Sequence, residues 1–339
     1  MARIAVDAMG GDHAPQAPIA GALRALAELP AQHCIDLIGR SAVVQAELDA
    51  QLVEHAEFAE HRSRISVVHA PDVIEMTDKP TVALRGKQQS SMVVGLRRVV
   101  EGLAQGFVSA GNTGAQMAAS TVLFKLHAGL TRPAIGAMVP TAQQPVLILD
   151  AGANVDCTAE ELVQFARIGD VYARHLLGRT LPGIGLLSIG EEAEKGNSAV
   201  KEAHQLLRKA DLNFIGNVEG RDIPNGACDG SPLDVVVCDG FVGNVLLKFY
   251  ESVAPFLIGV VAQSVGLDTA TVTKGLKQLD VDEYGGAPLL GVRGVSIISH
   301  GSSSPRALKN AIRMAFTASE SGMNEEMGRR LAAANGNAA

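Results

Sequence analysis

The chain has 339 residues, 47% hydrophobic and 19% charged, with 36 glycines, a net charge of −7 and no tryptophan. That balance describes a globular body with a sizeable core and excludes a disordered chain. The negative charge and the 4% aromatic content exclude a broad base-stacking or basic surface, so nucleic acid is not expected as a partner.

Short runs rich in Val and Ile predict strands over 4–7, 35–38, 65–69, 106–109, 135–139, 146–150, 184–189, 235–239 and 295–299. Between them, apolar residues recurring at three- and four-residue spacing predict helices over 17–28, 91–104, 159–177, 198–210, 244–263 and 306–316. The alternation points to an α/β fold with a largely parallel, helix-covered sheet. Ser90 and Ser304 stand where N-caps are expected, the latter before Pro305. Arg306, Lys309 and Arg313 then share a helical face, as a solvated stripe or a dock for an acidic partner. Residues 252–267 carry no charge, but the run is short and broken by Pro255. It is not expected to span a bilayer; a core helix, a dimer contact or shallow insertion into a membrane surface remain open. One catalytic unit of one or two lobes is expected over 1–325. The alanine-rich end, 326–339, has little to bury and reads as a flexible tail.

Cys34, Cys157, Cys228 and Cys238 show neither C-x-x-C pairing nor zinc-site spacing and read as reduced thiols. The N-terminus enters its first strand without a leader of signal-peptide type, so export is not expected. Neither G-x-G-x-x-G nor a P-loop occurs, and there is no G-x-S-x-G elbow or H-E-x-x-H pair.

Four Gly/Asn/Asp-rich segments sit instead at the ends of apolar runs: Val6 to His13, Ser109 to Gly114, Leu149 to Asp156 and Cys238 to Asn244. A turn needs its glycine but not a repeated amide or carboxylate, so the four read as one phosphate-holding site beyond the strand ends. Asn112 and Thr113, at an expected helix N-terminus, offer donors to a phosphate or an oxyanion. Lys195 offers charge, Asn154 and Asn244 orientation, and Asp7, Asp12 or His13 proton handling, with His13 and His300 in a second tier. Asp7, Gly10, Gly11, Asp12, Ser109, Gly111, Thr113, Gly114, Asn154, Asp239, Gly240 and His300 form the expected substrate-binding set; Lys195, Asn112 and Asn244 are the expected catalytic residues.

These loops, with Ser90-Ser91-Met92, Gly190-Glu191-Glu192, Lys195-Gly196, Gly285 to Gly291 and His300-Gly301-Ser302, resemble the bacterial phosphate acyltransferases in order from residue 4 to about residue 316. The resemblance implies a three-layer α/β/α fold of the isocitrate/isopropylmalate dehydrogenase-like type. It also implies a cytoplasmic, peripherally membrane-associated homodimer that makes long-chain acyl phosphate from acyl-acyl carrier protein and inorganic phosphate in phospholipid synthesis. No metal or organic cofactor is implied, and the product would pass to a glycerol-3-phosphate acyltransferase in the membrane. The segment between Leu267 and Tyr284 is shorter than the resemblance suggests for a membrane-contacting element. Three alternatives stand beside this reading. One is a short-chain acyl-CoA phosphotransacylase, and another a membrane scaffold using residues 252–267 and the Arg306 stripe. The third, an NAD-linked decarboxylating dehydrogenase, needs a D-x-x-x-D metal pair not found here.

Overall fold

A computed structural model describes residues 2–275 and 281–336. In chain order the elements begin with β1 (Arg3–Asp7), α1 (Gln16–Glu28), β2 (Cys34–Gly39), α2 (Ser41–Glu54), β3 (Ile65–His69), α3 (Pro80–Gly86), α4 (Ser91–Val100), β4 (Gly106–Ser109) and α5 (Thr113–Phe124). There follow β5 (Ala134–Val139), β6 (Val146–Leu149), α6 (Ala159–Leu176), β7 (Ile184–Leu187), α7 (Ser198–Leu207), β8 (Phe214–Val218), α8 (Asp222–Asn225), β9 (Ala227–Cys228), β10 (Ser231–Pro232) and β11 (Val235–Val237). The chain continues through α9 (Gly240–Val265), α10 (Thr269–Gly275), β12 (Ala287–Leu290), β13 (Val295–Ile298), α11 (Pro305–Glu320) and α12 (Met323–Gly336). The fold is α/β, a mixed sheet flanked by helices, built as two compact units: Met1–Leu126 with Tyr284–Asn324, and His127–Glu283 with Glu325–Ala339.

In the first unit the strand order is β3-β2-β1-β4-β13-β12, parallel except for the antiparallel β12–β13 pair. Ile4, Val6, Ile35, Leu37, Ile38 and Phe107 are buried, which fits Val/Ile runs sandwiched between helices. The chain turns one way from β1 to β2 and β3, then crosses back so that β4 lies on the other side of β1. That makes β1/β4 a topological switch point, where an open α/β sheet leaves a crevice beyond its strand ends. The loops after Asp7 and Ser109 leave the sheet there.

In the second unit the order is β5-β6-β11-β7-β8, with only β5 antiparallel. Leu149 of β6 is registered against Val237 of β11, so the loops that follow these two strands emerge side by side. α6 opens on a capping box in which Thr158 accepts from the Glu161 N–H while the Glu161 carboxylate accepts from the Thr158 N–H.

The Ser90 and Ser304 caps form as expected, with Val93 and Ala307 as their N–H donors. Two expectations change. Lys309 and Arg313 pair with Glu28 of α1 at 2.7 and 3.1 Å, so those two charges of the basic stripe hold two helices together instead of presenting a docking face. The C-terminal segment is helical through Gly336: Met327 and Leu331 are buried, and Arg330 contacts Asp170 at 2.7 Å. Two apolar anchors and a buried carboxylate hold what composition alone read as a tail; 337–339 lie outside the described residues, as do 276–280 of the segment before Tyr284.

α9 is longer than expected, 26 residues with Pro255 inside it. Its most apolar 18-residue window has a mean hydropathy of 1.7 and is only 11% buried. Phe249, Phe256, Leu257, Val260 and Val265 are exposed along it, while Ile258 and Ala262 pack on Val272 of α10. By length and composition this helix could cross a membrane, although Lys248 and Glu251 pair within it at 2.7 Å.

Candidate active site

The expected site residues fall into two sets, one in each unit. In the first unit Asp7 ends β1, where its buried carboxylate accepts from the Ser109 hydroxyl at 2.8 Å and the Met9 N–H at 3.1 Å. The Gly111 N–H in turn donates to the Ser109 oxygen at 2.9 Å. Burial pushes the Asp7 carboxyl up from the usual carboxylate range, opposed by hydrogen bonds from Ser91, Ser109, Met9 and Gly10. Gly10 lies on this network so closely that a Cβ there would stand 2.7 Å from an Asp7 oxygen and 2.8 Å from the Ser109 hydroxyl. Asp12 is exposed, and its N–H donates to the Gly301 carbonyl at 2.8 Å; His13 is also exposed. The exposed His300 ring is held by Ser302, whose hydroxyl lies 2.7 Å from Nδ1.

Asn112 is the N-cap of α5, its Oδ1 accepting from Ala115 N–H at 3.0 Å. Its Nδ2 spans the carbonyls of Glu75, Met76 and Asp78 at 3.3, 3.1 and 3.0 Å. Both ends of this buried amide are therefore engaged in shaping the loop. What the position offers an anion is the first turn of α5, whose N–H groups at Thr113 and Gly114 have no carbonyl one turn earlier to bond.

In the second unit the central group is Asp150, which the sequence reading quoted within a loop but gave no role. It is fully buried, and its carboxylate accepts four donors: the N–H groups of Ile135 (2.9 Å), Ala153 (3.1 Å) and Asn154 (2.6 Å), and the Asn154 Nδ2 (2.9 Å). Burial pushes its carboxyl up, and those same four donors oppose the shift. Asn154 also donates to the Pro133 carbonyl at 2.8 Å, so its amide is turned inward. Asp239 caps α9 through Phe241 N–H at 2.8 Å and accepts the Cys157 N–H at 2.8 Å with its other oxygen, tying together the loops that follow β6 and β11. Only glycine fits at 240: a Cβ there would stand 2.2 Å from the Asn154 carbonyl.

Two expected catalytic side chains stand apart from this bonding. Lys195 and Asn244 are exposed, and among the described residues neither side chain has a hydrogen-bond or ion-pair partner. Asn244 lies one turn into α9, over the Gly152 loop. Phe241 and Val242 from the same turn line a cavity of about 450 Å³ together with Val155, Leu162, Val200 and Asn197, the last the N-cap of α7 two residues beyond Lys195. Its volume falls within the roughly 300–1,000 Å³ of ligand pockets. Cys157, at its wall, is no ready nucleophile: burial, reinforced by Asp239, pushes the thiol up to about 12. Burial also raises Cys238, and Cys228 moves to about 11.

A family model described as a fatty acid synthesis protein matches residues 2–326. The chain is 46% identical to the phosphate acyltransferase of Desulforamulus reducens over 332 residues, 95% of each chain. It is 48% identical to that of Heliobacterium modesticaldum over 323 residues, 92% of each. Among solved structures it superposes on a Streptococcus pyogenes phosphotransacetylase with a TM-score of 0.59 at 20% identity, covering 94% of each chain. A branched-chain phosphotransacylase of Enterococcus faecalis superposes with a TM-score of 0.56 at 16% identity, covering 94% of this chain and 99% of that one. These structures share the fold; the near full-length sequence matches carry the assignment. The chain therefore belongs to the PlsX-type phosphate acyltransferases, acyltransferases of fatty acid and phospholipid synthesis.

Proposed function

We propose that this acyltransferase moves a long acyl chain from acyl-acyl carrier protein to inorganic phosphate, releasing acyl phosphate and the free carrier protein. The observation that carries the reading is the pair of exposed side chains Lys195 and Asn244, a cation and an amide without partners among the described residues, in a family of phosphate acyltransferases. A phosphate oxygen attacks the thioester carbonyl carbon, a tetrahedral oxyanion forms, and the C–S bond breaks to release the carrier's thiolate. Lys195 offsets the charge of phosphate or oxyanion, and the Asn244 amide donates to the developing oxygen. The apolar walls around Phe241, Val242 and Val200 would suit an acyl chain.

The exposed apolar length of α9 supports peripheral association with a membrane, from the cytoplasmic side in this reading. Acyl phosphate is a reactive mixed anhydride, and delivery to a membrane glycerol-3-phosphate acyltransferase would limit its hydrolysis. A homodimer belongs to the same proposal. The test is thiol release from palmitoyl-acyl carrier protein by the purified protein, run with and without phosphate and beside acetyl-CoA. Phosphate-dependent release that prefers the long-chain carrier substrate is expected. Activity confined to acetyl-CoA would replace this reading with a short-chain transacylase, and no release from either would remove the catalytic assignment.

A further inference from the structure

Beneath the Lys195 loop lies a buried polar pair that the reaction as described does not use. Asn217 on β8 is 2% exposed and His204 on α7 is 4% exposed. The Asn217 Nδ2 donates to the Glu192 carbonyl at 2.8 Å, and the same carbonyl accepts the Lys195 N–H at 3.0 Å. The Asn217 Oδ1 lies 2.9 Å from His204 Nδ1, and the His204 ring meets Phe214 edge-on at 5.2 Å. The chemistry orients both side chains. A backbone carbonyl accepts only, so the Asn217 NH₂ must face Glu192 and its oxygen must face His204. His204 must then carry a proton on Nδ1 and donate it.

We propose that His204 and Asn217 are positioning residues for Lys195, a two-bond strut from α7 through β8 to the Glu192 carbonyl that sets where the loop presents its ammonium group. The inference rests on the reading that Lys195 acts on phosphate or oxyanion. An exposed lysine on a turn holds its place only as well as its backbone does, and the Glu192–Lys195 turn is fixed from beneath by one buried amide. Misplacing a catalytic charge by about 1 Å costs on the order of 100-fold in rate. Removing a partner that orients a metal ligand typically costs roughly 10–100-fold, and the same scale is taken for a side chain that orients a lysine.

The experiment compares Lys195→Ala, Asn217→Asp, His204→Leu and His204→Asn by steady-state kinetics with phosphate and acyl-carrier substrate varied separately. Hydrogen exchange of residues 190–197 is followed in parallel. Asn217→Asp keeps the shape and removes the donor; His204→Leu removes the orienting proton and serves if Asn217→Asp does not fold. His204→Asn places an amide N–H where Nδ1 stood. The strut predicts a fall of about 10–100-fold in kcat/KM for phosphate in Asn217→Asp and His204→Leu. It also predicts an unchanged KM for the acyl donor, faster exchange of the loop, and recovery to within about threefold in His204→Asn. Parental kinetics in the first two variants, with Lys195→Ala inactive, would overturn the strut and leave the Lys195 reading intact. Failure of His204→Asn to recover would also overturn it. An active Lys195→Ala enzyme would remove the loop from the reaction and the strut with it.

Discussion

Three asparagines of the glycine-rich loops, Asn112 in the first unit and Asn154 and Asn244 in the second, are used in two opposite ways. Asn112 and Asn154 are 8% and 7% exposed, and their side chains bond to backbone of the loops that hold them. Asn244 is exposed and bonds to nothing among the described residues, as is true of the Lys195 side chain. A glycine-rich loop with an asparagine can thus be an architectural joint or a reactive edge, and burial decides which. A buried amide must satisfy its donors and acceptor inside the protein. An exposed one keeps them for substrate.

The sharpest break of that comparison is Lys195→Ala and Asn244→Ala. Each is expected to lower phosphate-dependent thiol release by roughly 100–1,000-fold, the usual effect of deleting one charge-stabilising donor. Exposed side chains without partners carry little stability, so the melting temperature should stay at the parental value. Unchanged turnover would return these residues to the solvated surface.

Asn112→Ala and Asn154→Ala should behave in the opposite sense. The first removes an N-cap and the donor to three carbonyls; the second leaves the Pro133 carbonyl unpaired and takes one donor from Asp150. Each should destabilise by about 1–3 kcal/mol, read as a lower denaturation midpoint. Activity should track the folded fraction. A parental midpoint with activity lost would instead make either amide a direct substrate contact.

Much of this was legible in the sequence. All nine strands expected from Val/Ile runs begin within one residue of where they form, as β1, β2, β3, β4, β5, β6, β7, β11 and β13, because both faces of the sheet are buried and the run is continuous. α2 was missed since its apolar residues do not form one stripe: Val44 and Leu48 are buried, whereas Val43 and Val53 are exposed. β8 was missed because Gly216-Asn217 reads as a turn, yet Asn217 is a buried strand residue with both ends bonded. At the site the loops were visible from their composition. The direction of each amide was not, since it depends on carbonyls far along the chain, such as Met76 for Asn112 and Pro133 for Asn154.

The smallest expected effect separates two of the buried carboxylates, Asp7 and Asp150. Burial raises Asp7 above the usual aspartate range, so the folded state binds a proton more readily than the unfolded chain. The stability that this group contributes is present at low pH and declines as pH rises through the folded-state pKa, because the ionised carboxylate is better solvated when unfolded. Asp7→Asn removes the titration: its oxygen can still accept from the Met9 and Gly10 N–H groups, and the Ser91 and Ser109 hydroxyls can turn from donor to acceptor. The stability difference between Asp7→Asn and the parent should therefore move in favour of the variant as pH rises from the usual aspartate range through the raised folded-state pKa. Asp150→Asn meets four donors with one acceptor atom and turns an NH₂ group toward them, so it should destabilise at neutral pH despite the same direction of shift. Denaturation midpoints for both variants between pH 4 and 8 check the pair. A pH-independent Asp7→Asn difference, or an Asp150→Asn protein as stable as the parent, would mean that the rotatable hydroxyl donors at Asp7 and the fixed N–H donors at Asp150 do not distinguish the two loops.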